Sequence, residues 1–265
     1  MKFFNNKCVW IVGASSGIGE ALALELSAQK ANIVISSRDE EKLKILAEKC
    51  RKNGSDCLVL PLDLKEIDSF DGKVDQVISV YHHINHLIIS SGISQRSYIA
   101  ETSLELDREI MEVNYFGNIA LTKAVLPYML KQRLGHISVV SSIVGVFGFP
   151  LRSAYSASKH ALHGFYETLR AEHQQDGMSV SIIIPGRVRT NISLNALDKD
   201  GQAYNKIDDG QAAGISSEKA AGKILKGIQN NKKEILVGGS ELFTVYLRRY
   251  LPYLFYKMIS KIKTT

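Results

Sequence analysis

Tyr155 and Lys159 stand four residues apart in 153–174, a stretch whose apolar residues recur at helical spacing. At that separation both side chains leave one face of a helix, the lysine one turn beyond the tyrosine. A phenol has a pKa of about 10 in water and by itself trades protons reluctantly near neutrality. An ammonium close by favours the phenolate and brings that value toward the working pH, so the pair can act as an acid/base at a substrate oxygen. Ser142, at the end of the preceding strand-like run, is placed to donate a second hydrogen bond to the same oxygen.

Spacing alone does not select this pair. Tyr253 and Lys257 repeat it, and Ser240 even precedes Tyr253 at the offset that separates Ser142 from Tyr155. Context does select. Pro252 precedes Tyr253, and too little chain remains after Lys257 to add another strand and loop, so the second copy reads as coincidence.

A partner for such chemistry is written near the start. The run Gly13-Ala14-Ser15-Ser16-Gly17-Ile18-Gly19 comes after the apolar segment 8–12 and opens a helical pattern. That order suits the first crossover of a dinucleotide-binding fold. Gly13 permits the tight turn, Gly17 lets backbone approach a pyrophosphate, and Gly19 allows close helix packing. Ser15, Ser16 and Ile18 belong to the same turn, where the free N–H groups and positive end of the helix face phosphates.

The second apolar segment ends at Ser36-Ser37-Arg38, where an NAD site would place a carboxylate for the ribose 2′-hydroxyl. Neither Ser36 nor Ser37 is an acid, and the planar fork of Arg38 suits a 2′-phosphate, which favours NADP(H). Asp39 either begins the next helix as a cap or reaches the ribose. Asp63, with Leu64 beside it, either receives a hydrogen bond from an adenine amino group or caps the next helix.

Those groups need elements to hold them. Apolar runs at 8–12, 32–36, 57–60, 86–89, 136–140, 180–184 and 234–237 alternate with helical patterns at 18–29, 40–52, 104–130, 153–174 and 217–229. Nearly continuous apolar strands separated by helices predict an α/β fold: one Rossmann-type, doubly wound parallel sheet of about seven strands with helices on both faces. At 265 residues, with 45% hydrophobic and 23% charged residues and no linker-like tract, one domain over 1–265 is expected. The segment 194–214 lacks periodicity and is the candidate lid over a substrate.

Bulk properties narrow the setting. The formal charge of +6 suits anionic ligands or surfaces but chooses none. Cys8, Cys50 and Cys57 lack metal-ligand or redox spacing, so reduced thiols and no metal site are expected in a cytosol-facing protein. The run 9–12 is too short for a signal peptide, and no 18-residue apolar span comes after it.

Taken in order, Gly13-x-x-x-Gly17-x-Gly19, Asp63, Gly92, Asn114, Ser142, Tyr155-x-x-x-Lys159 and Pro185-Gly186-x-Val188-x-Thr190 resemble the motif series of the short-chain dehydrogenase/reductase family over nearly the whole chain. The resemblance implies that Tyr155 is the acid in ketone reduction, Lys159 lowers its pKa and holds ribose hydroxyls, Ser142 orients the carbonyl, and Asn114 holds a water in a proton relay. Val188 and Thr190 would fix the nicotinamide carboxamide, with Pro185, Gly186 and Gly92 beside the same cofactor. The chain departs from the family pattern at Ser90-Ser91-Gly92, where Asn-Ala-Gly is usual, and at Val12, where Thr is usual. Gly92-Ile93-Ser94-Gln95-Arg96-Ser97 and Glu101-Thr102-Ser103-Leu104 resemble the member 7 branch, which is similar to the 11-beta-hydroxysteroid dehydrogenases.

The resemblance therefore implies an NADP(H)-dependent oxidoreductase for a hydrophobic, lipid-, steroid- or retinoid-like ketone or aldehyde and its alcohol. A 3-oxoacyl thioester reductase and a non-catalytic nucleotide-sensing protein are the alternatives. No nucleic-acid partner is expected, and a homodimer or homotetramer is. The tail, 241–265, joins Phe243, Tyr246, Tyr250, Leu254 and Phe255 to Arg248, Arg249, Lys257, Lys261 and Lys263. It packs on its own domain, on a second subunit, or on an anionic membrane as a peripheral contact.

Overall fold

Val9 and Trp10 are sequence neighbours that end in opposite cores, because successive strand residues point to opposite faces of a sheet. The computed structural model describes residues 2–259. Its strands are β1 (Cys8–Val12), β2 (Asn32–Ser36), β3 (Cys57–Val59), β4 (His86–Ile89), β5 (Gly135–Val140), β6 (Met178–Pro185) and β7 (Glu234–Val237). They form one sheet in the order β3-β2-β1-β4-β5-β6-β7, every pairing parallel.

On one face lie α1 (Gly17–Ala28), α2 (Glu40–Lys52) and α8 (Ser217–Gln229), which pack Leu22, Leu43 and Ile224 against Val9, Ile11 and Ile33. On the other lie α3 (Phe70–Tyr81), α5 (Gly117–Gln132) and α6 (Ser153–His173), which bring Phe70, Val125 and Tyr166 to Trp10, Val34 and Ile182. Each fully buried large apolar side chain contributes roughly 1.5–3 kcal/mol. The doubly wound arrangement is thus fixed by apolar residues on both pleats of the central strands.

The single helix expected over 104–130 is three pieces: α4 (Leu104–Met111), a π-helical turn (Glu112–Phe116) and α5. The widened turn has a visible local cause. The Asn118 side chain donates to the Asn114 carbonyl at 2.7 Å, and a Cβ on Gly117 would lie 2.7 Å from that of Leu64. The helix changes pitch where it crosses the loop after β3.

The 194–214 segment is stapled down in this structure. Leu197 bridges Gln95 and Ala203, and Ile215, just beyond it, bridges Val188. A short helix, α7 (Asp209–Ala212), completes the return. The chain ends in α9 (Phe243–Tyr250) and α10 (Pro252–Ile259), separated at Pro252 as a proline requires. Phe255 is buried against Phe147, ring centroids 4.9 Å apart, so the arm packs at least one face on its own domain. Lys261 and Lys263 lie outside the described residues.

Candidate active site

The order of strands reverses direction between β1 and β4, and a parallel sheet opens a crevice beyond its strand ends at such a point. Gly13 turns the chain there with φ +85°, while the Gly13 and Ala14 amides donate to the Ser36 carbonyl at 2.7 and 3.1 Å. A Cβ on Gly13 would lie 2.7 Å from the Ser91 nitrogen and hydroxyl, so Ser91 closes on a position only glycine fits. Gly17 (φ +59°) approaches Thr190, whose methyl would be 3.0 Å from an added Cβ. Gly19 presses instead on the Gly13 carbonyl and does not line the cavity.

Ser16 is the N-cap of α1 but makes no side-chain cap, which leaves the first amides of that helix to whatever occupies the crevice. The residues present therefore fit a dinucleotide: a turn with no room for side chains, and then unspent N–H donors. Ser15, Ser16, Gly17 and Ile18 line one end of a cavity of about 890 Å³, with Arg38, Asp63 and Leu64 also on its wall.

At the end of β2, Ser36 is buried and accepts from the Trp10 indole at 2.9 Å. Asp39 caps α2 through the Lys42 amide at 3.1 Å and pairs with the Lys42 ammonium at 2.7 Å, while still lining the cavity. Asp63 accepts from the Lys65 amide at 3.0 Å in a tight local turn while still facing the cavity. Arg38 is exposed at the cavity edge.

The same cavity reaches Ser142, Tyr155 and Lys159. Tyr155 is 7% and Lys159 2% exposed, both on α6. The Lys159 ammonium lies 5.7 Å from the centroid of the Tyr155 ring and donates to the Val140 carbonyl at 2.8 Å. Gly92 makes that crowding possible, since a Cβ there would be 3.2 Å from the ammonium. Burial lowers the Lys159 pKa to about 8.

Burial raises the Tyr155 phenol above its ordinary value, and the forces opposing that rise are the Ser142 hydroxyl and then the charges of Arg96 and Arg152. Arg96 and Arg152 thus stand with Lys159, 5.7 Å from the ring centroid, as cations around the phenol. Ser142 caps the short turn Ile143–Gly145, accepting from the Val144 amide at 3.3 Å.

Asn114 differs from its expected place. It is fully buried and does not line the cavity. Its oxygen accepts from the Ile93 amide at 2.8 Å, and its nitrogen donates to the Ile93 carbonyl at 2.9 Å and to Ser158 at 3.0 Å. The side chain is occupied with bracing the loop after β4.

At the end of β6 and just beyond it, Pro185, Gly186, Val188 and Thr190 all line the cavity. Gln211 donates to the Val188 carbonyl and, at 3.2 Å, to the Thr190 hydroxyl, so the descending segment holds this strip from behind.

The far wall joins apolar and charged parts. Val144, Phe147 and Tyr155 form one buried cluster with Phe149 and Ile192 at its margin. Beside it, Asp208 pairs with Arg96 at 2.6 Å and with Arg152 at 2.8 Å. Burial works against the Asp208 charge, but the two guanidinium groups hold its carboxyl below the ordinary value. Arg152 is itself brought to about 10, by burial first and then by the nearby Arg96 charge. Reasoning from the sequence did not find this trio. Arg96 stood in the Gln95-Arg96-Ser97 run, but nothing local joined it to residues 56 and 112 positions apart in pairing.

Tyr253, the duplicate tyrosine, is 77% exposed on α10 and is not among the cavity's lining residues.

A family profile described as short chain dehydrogenase matches residues 7–201. A Drosophila melanogaster protein called dehydrogenase/reductase SDR family protein 7-like is 40% identical over 260 residues, covering 96% of this chain and 80% of that one. Dehydrogenase/reductase SDR family member 7B of Xenopus laevis is 39% identical over 95% of this chain and 80% of its own length. Among solved structures, a short-chain dehydrogenase/reductase from Burkholderia phymatum in complex with NAD superposes with a TM-score of 0.83 at 22% identity, over 96% of each chain. A short-chain dehydrogenase from Streptomyces avermitilis gives 0.80 at 25% identity, also over 96% of each chain.

Proposed function

The chain belongs to the short-chain dehydrogenase/reductase family of oxidoreductases, and from that premise we propose that it interconverts a hydrophobic ketone or aldehyde and its alcohol with NADP(H). The observation that carries the reading is one continuous cavity. It runs from the glycine turn and the bare start of α1, past Ser142, Tyr155 and Lys159, to an apolar wall of Phe147, Phe149 and Ile192. Arg38 supports NADP(H), because its exposed fork stands just after β2 at the cavity edge, where the neighbouring carboxylate, Asp39, is engaged with Lys42.

A nicotinamide held between the glycine turn and the 185–190 strip would supply the hydride in reduction and accept it in oxidation. Ser142 donates a hydrogen bond that orients the substrate oxygen, and Tyr155 gives that oxygen its proton as the alcohol forms. In the reverse direction the Tyr155 phenolate accepts the proton. Arg96 and Arg152 favour that anion, and Lys159, held by the Val140 carbonyl beside the ring and on the cavity wall, adds a further cation.

The exposed side of the C-terminal arm fits an anionic lipid surface. Phe243, Tyr250 and Tyr253 are 66, 69 and 77% exposed beside Arg248 and Arg249, and no acid occurs in α9 or α10. Thr244 and Ile259 of the same helices line the cavity, so a lipid-derived substrate would find the entrance next to the surface.

A substrate panel tests the chemical reading. NADPH oxidation with bulky apolar ketones or aldehydes is expected, and turnover confined to 3-oxoacyl thioesters would overturn it.

A further inference from the structure

Gln95 is fully buried between β4 and α4, outside the lining of the cavity. A buried amide is costly unless its hydrogen bonds are made, and this one makes them across three segments. Its oxygen accepts from the Ala154 amide at 2.9 Å and the Tyr155 amide at 3.5 Å. Those are first-turn amides of α6, where the preceding residue, Arg152, offers no side-chain cap. The Gln95 nitrogen donates to Ser97 and Thr102, each at 3.0 Å, and to Ser153 at 3.2 Å.

The backbone around Gln95 faces the other way. The Arg96 amide donates to the Leu197 carbonyl at 2.8 Å, and the Leu197 amide donates to the Ser94 carbonyl at 2.8 Å. One residue on, the Arg96 side chain grips Asp208. One short extended stretch, Ser94 to Ser97, thus holds the 194–208 flap with its main chain and Arg96, and the reactive helix with one side chain.

We infer that Gln95 is a positioning residue, capping the helix that carries Tyr155 from a distant loop and coupling the seat of that helix to the flap over the cavity. This rests on the reading of Tyr155 as the proton-transfer group. Mis-seating the phenol by about an ångström can cost on the order of 100-fold in rate, without touching the dinucleotide end.

The test uses the full chain as wild type, Gln95→Ala, Gln95→Glu, Asp208→Asn and Tyr155→Phe. Carbonyl reduction, NADPH binding by fluorescence and hydrogen exchange by mass spectrometry are measured on each folded variant. Gln95→Ala is expected to lower kcat about 10- to 100-fold with NADPH Kd within about threefold, and to speed exchange in peptides covering both 153–158 and 194–208. Gln95→Glu keeps the acceptor for the helix amides, so it should recover most of kcat; its added negative charge near Tyr155 should move the pH profile of oxidation upward. Asp208→Asn frees Arg152, the residue before α6, directly, so it is the reference for flap loosening that reaches 153–158 without Gln95. Unchanged kcat in Gln95→Ala, faster exchange confined to 93–97, or no recovery in Gln95→Glu would overturn the inference. If Tyr155→Phe kept full activity, the reading of Tyr155 would fail instead, whereas the exchange measurements would still decide whether Gln95 couples flap to helix.

Discussion

Arg152 reaches Asp208 at 2.8 Å from a position two residues before the catalytic helix turn bearing Ala154 and Tyr155, and its charge acts on the Tyr155 phenol. Arg96 reaches the same carboxylate oxygen at 2.6 Å, and its charge acts on the phenol too. The carboxylate therefore anchors two cations beside the group that must ionise, within a wall that burial makes unfavourable for a phenolate.

Removing one of those cations should make the phenol a weaker acid. Arg152→Ala is expected to move the rising limb of the pH profile for alcohol oxidation to higher pH, since the phenolate is the form that accepts the proton. A steady-state pH series of kcat checks it; an unmoved limb would show that Arg152 does not act on Tyr155.

The proposed preference for NADP(H) rests on Arg38, exposed at the cavity edge. Arg38→Ala should weaken NADPH binding by about 10-fold or more, the order expected for a lost charge-assisted pair of about 1.5–3 kcal/mol, and leave NADH binding nearly unchanged. Titrations with both cofactors decide it, and equal losses would count against a 2′-phosphate contact.

Stability should fall in mild acid. Burial lowers His86 well below 6.5 and lowers His136 and His163 to about 4. Between roughly pH 6.5 and pH 4 the unfolded chain binds protons that the folded chain refuses, so folding stability is present above that window and is lost as pH drops through it. His136 alone corresponds to on the order of 3 kcal/mol. Urea unfolding midpoints at pH 7.5 and 5.0 should differ accordingly, and a flat profile would contradict the burial of these rings.

For the C-terminal arm, co-sedimentation with vesicles containing phosphatidylserine should exceed that with phosphatidylcholine alone and weaken with salt. Tyr253→Asp with Arg249→Glu should abolish it. Self-association of the chain with no vesicle binding would assign the exposed face to a second copy.

Much of this arrangement is legible along the chain because it is local. The glycine turn, the Tyr155 to Lys159 spacing and the apolar strands depend on residues within a turn or a strand of one another, and the expected strands match to within a few end residues, as 57–60 against Cys57–Val59 shows. The π-helical turn depends on a crossing between Gly117 and Leu64, and the Arg96, Asp208 and Arg152 trio depends on chain return over 112 residues. Gln95 caps a helix that starts 58 residues later, at Ser153. No periodicity encodes such meetings, because they are made by tertiary closure. The helix α3 is hard to see in the sequence for a different reason: its buried positions Phe70, Val74, Val77 and Tyr81 are diluted by Asp71, Gly72, Lys73 and Asp75.

Proton transfer by Tyr155 stands at the centre of the proposed chemistry, and the kcat of Tyr155→Phe across pH, with NADPH and the best carbonyl substrate of the panel, probes it most directly. The expected result is a loss of roughly 10²- to 10⁴-fold, a residual rate independent of the phenol's titration, and unaltered NADPH binding. A folded Tyr155→Phe protein with the wild-type rate and pH profile would contradict it.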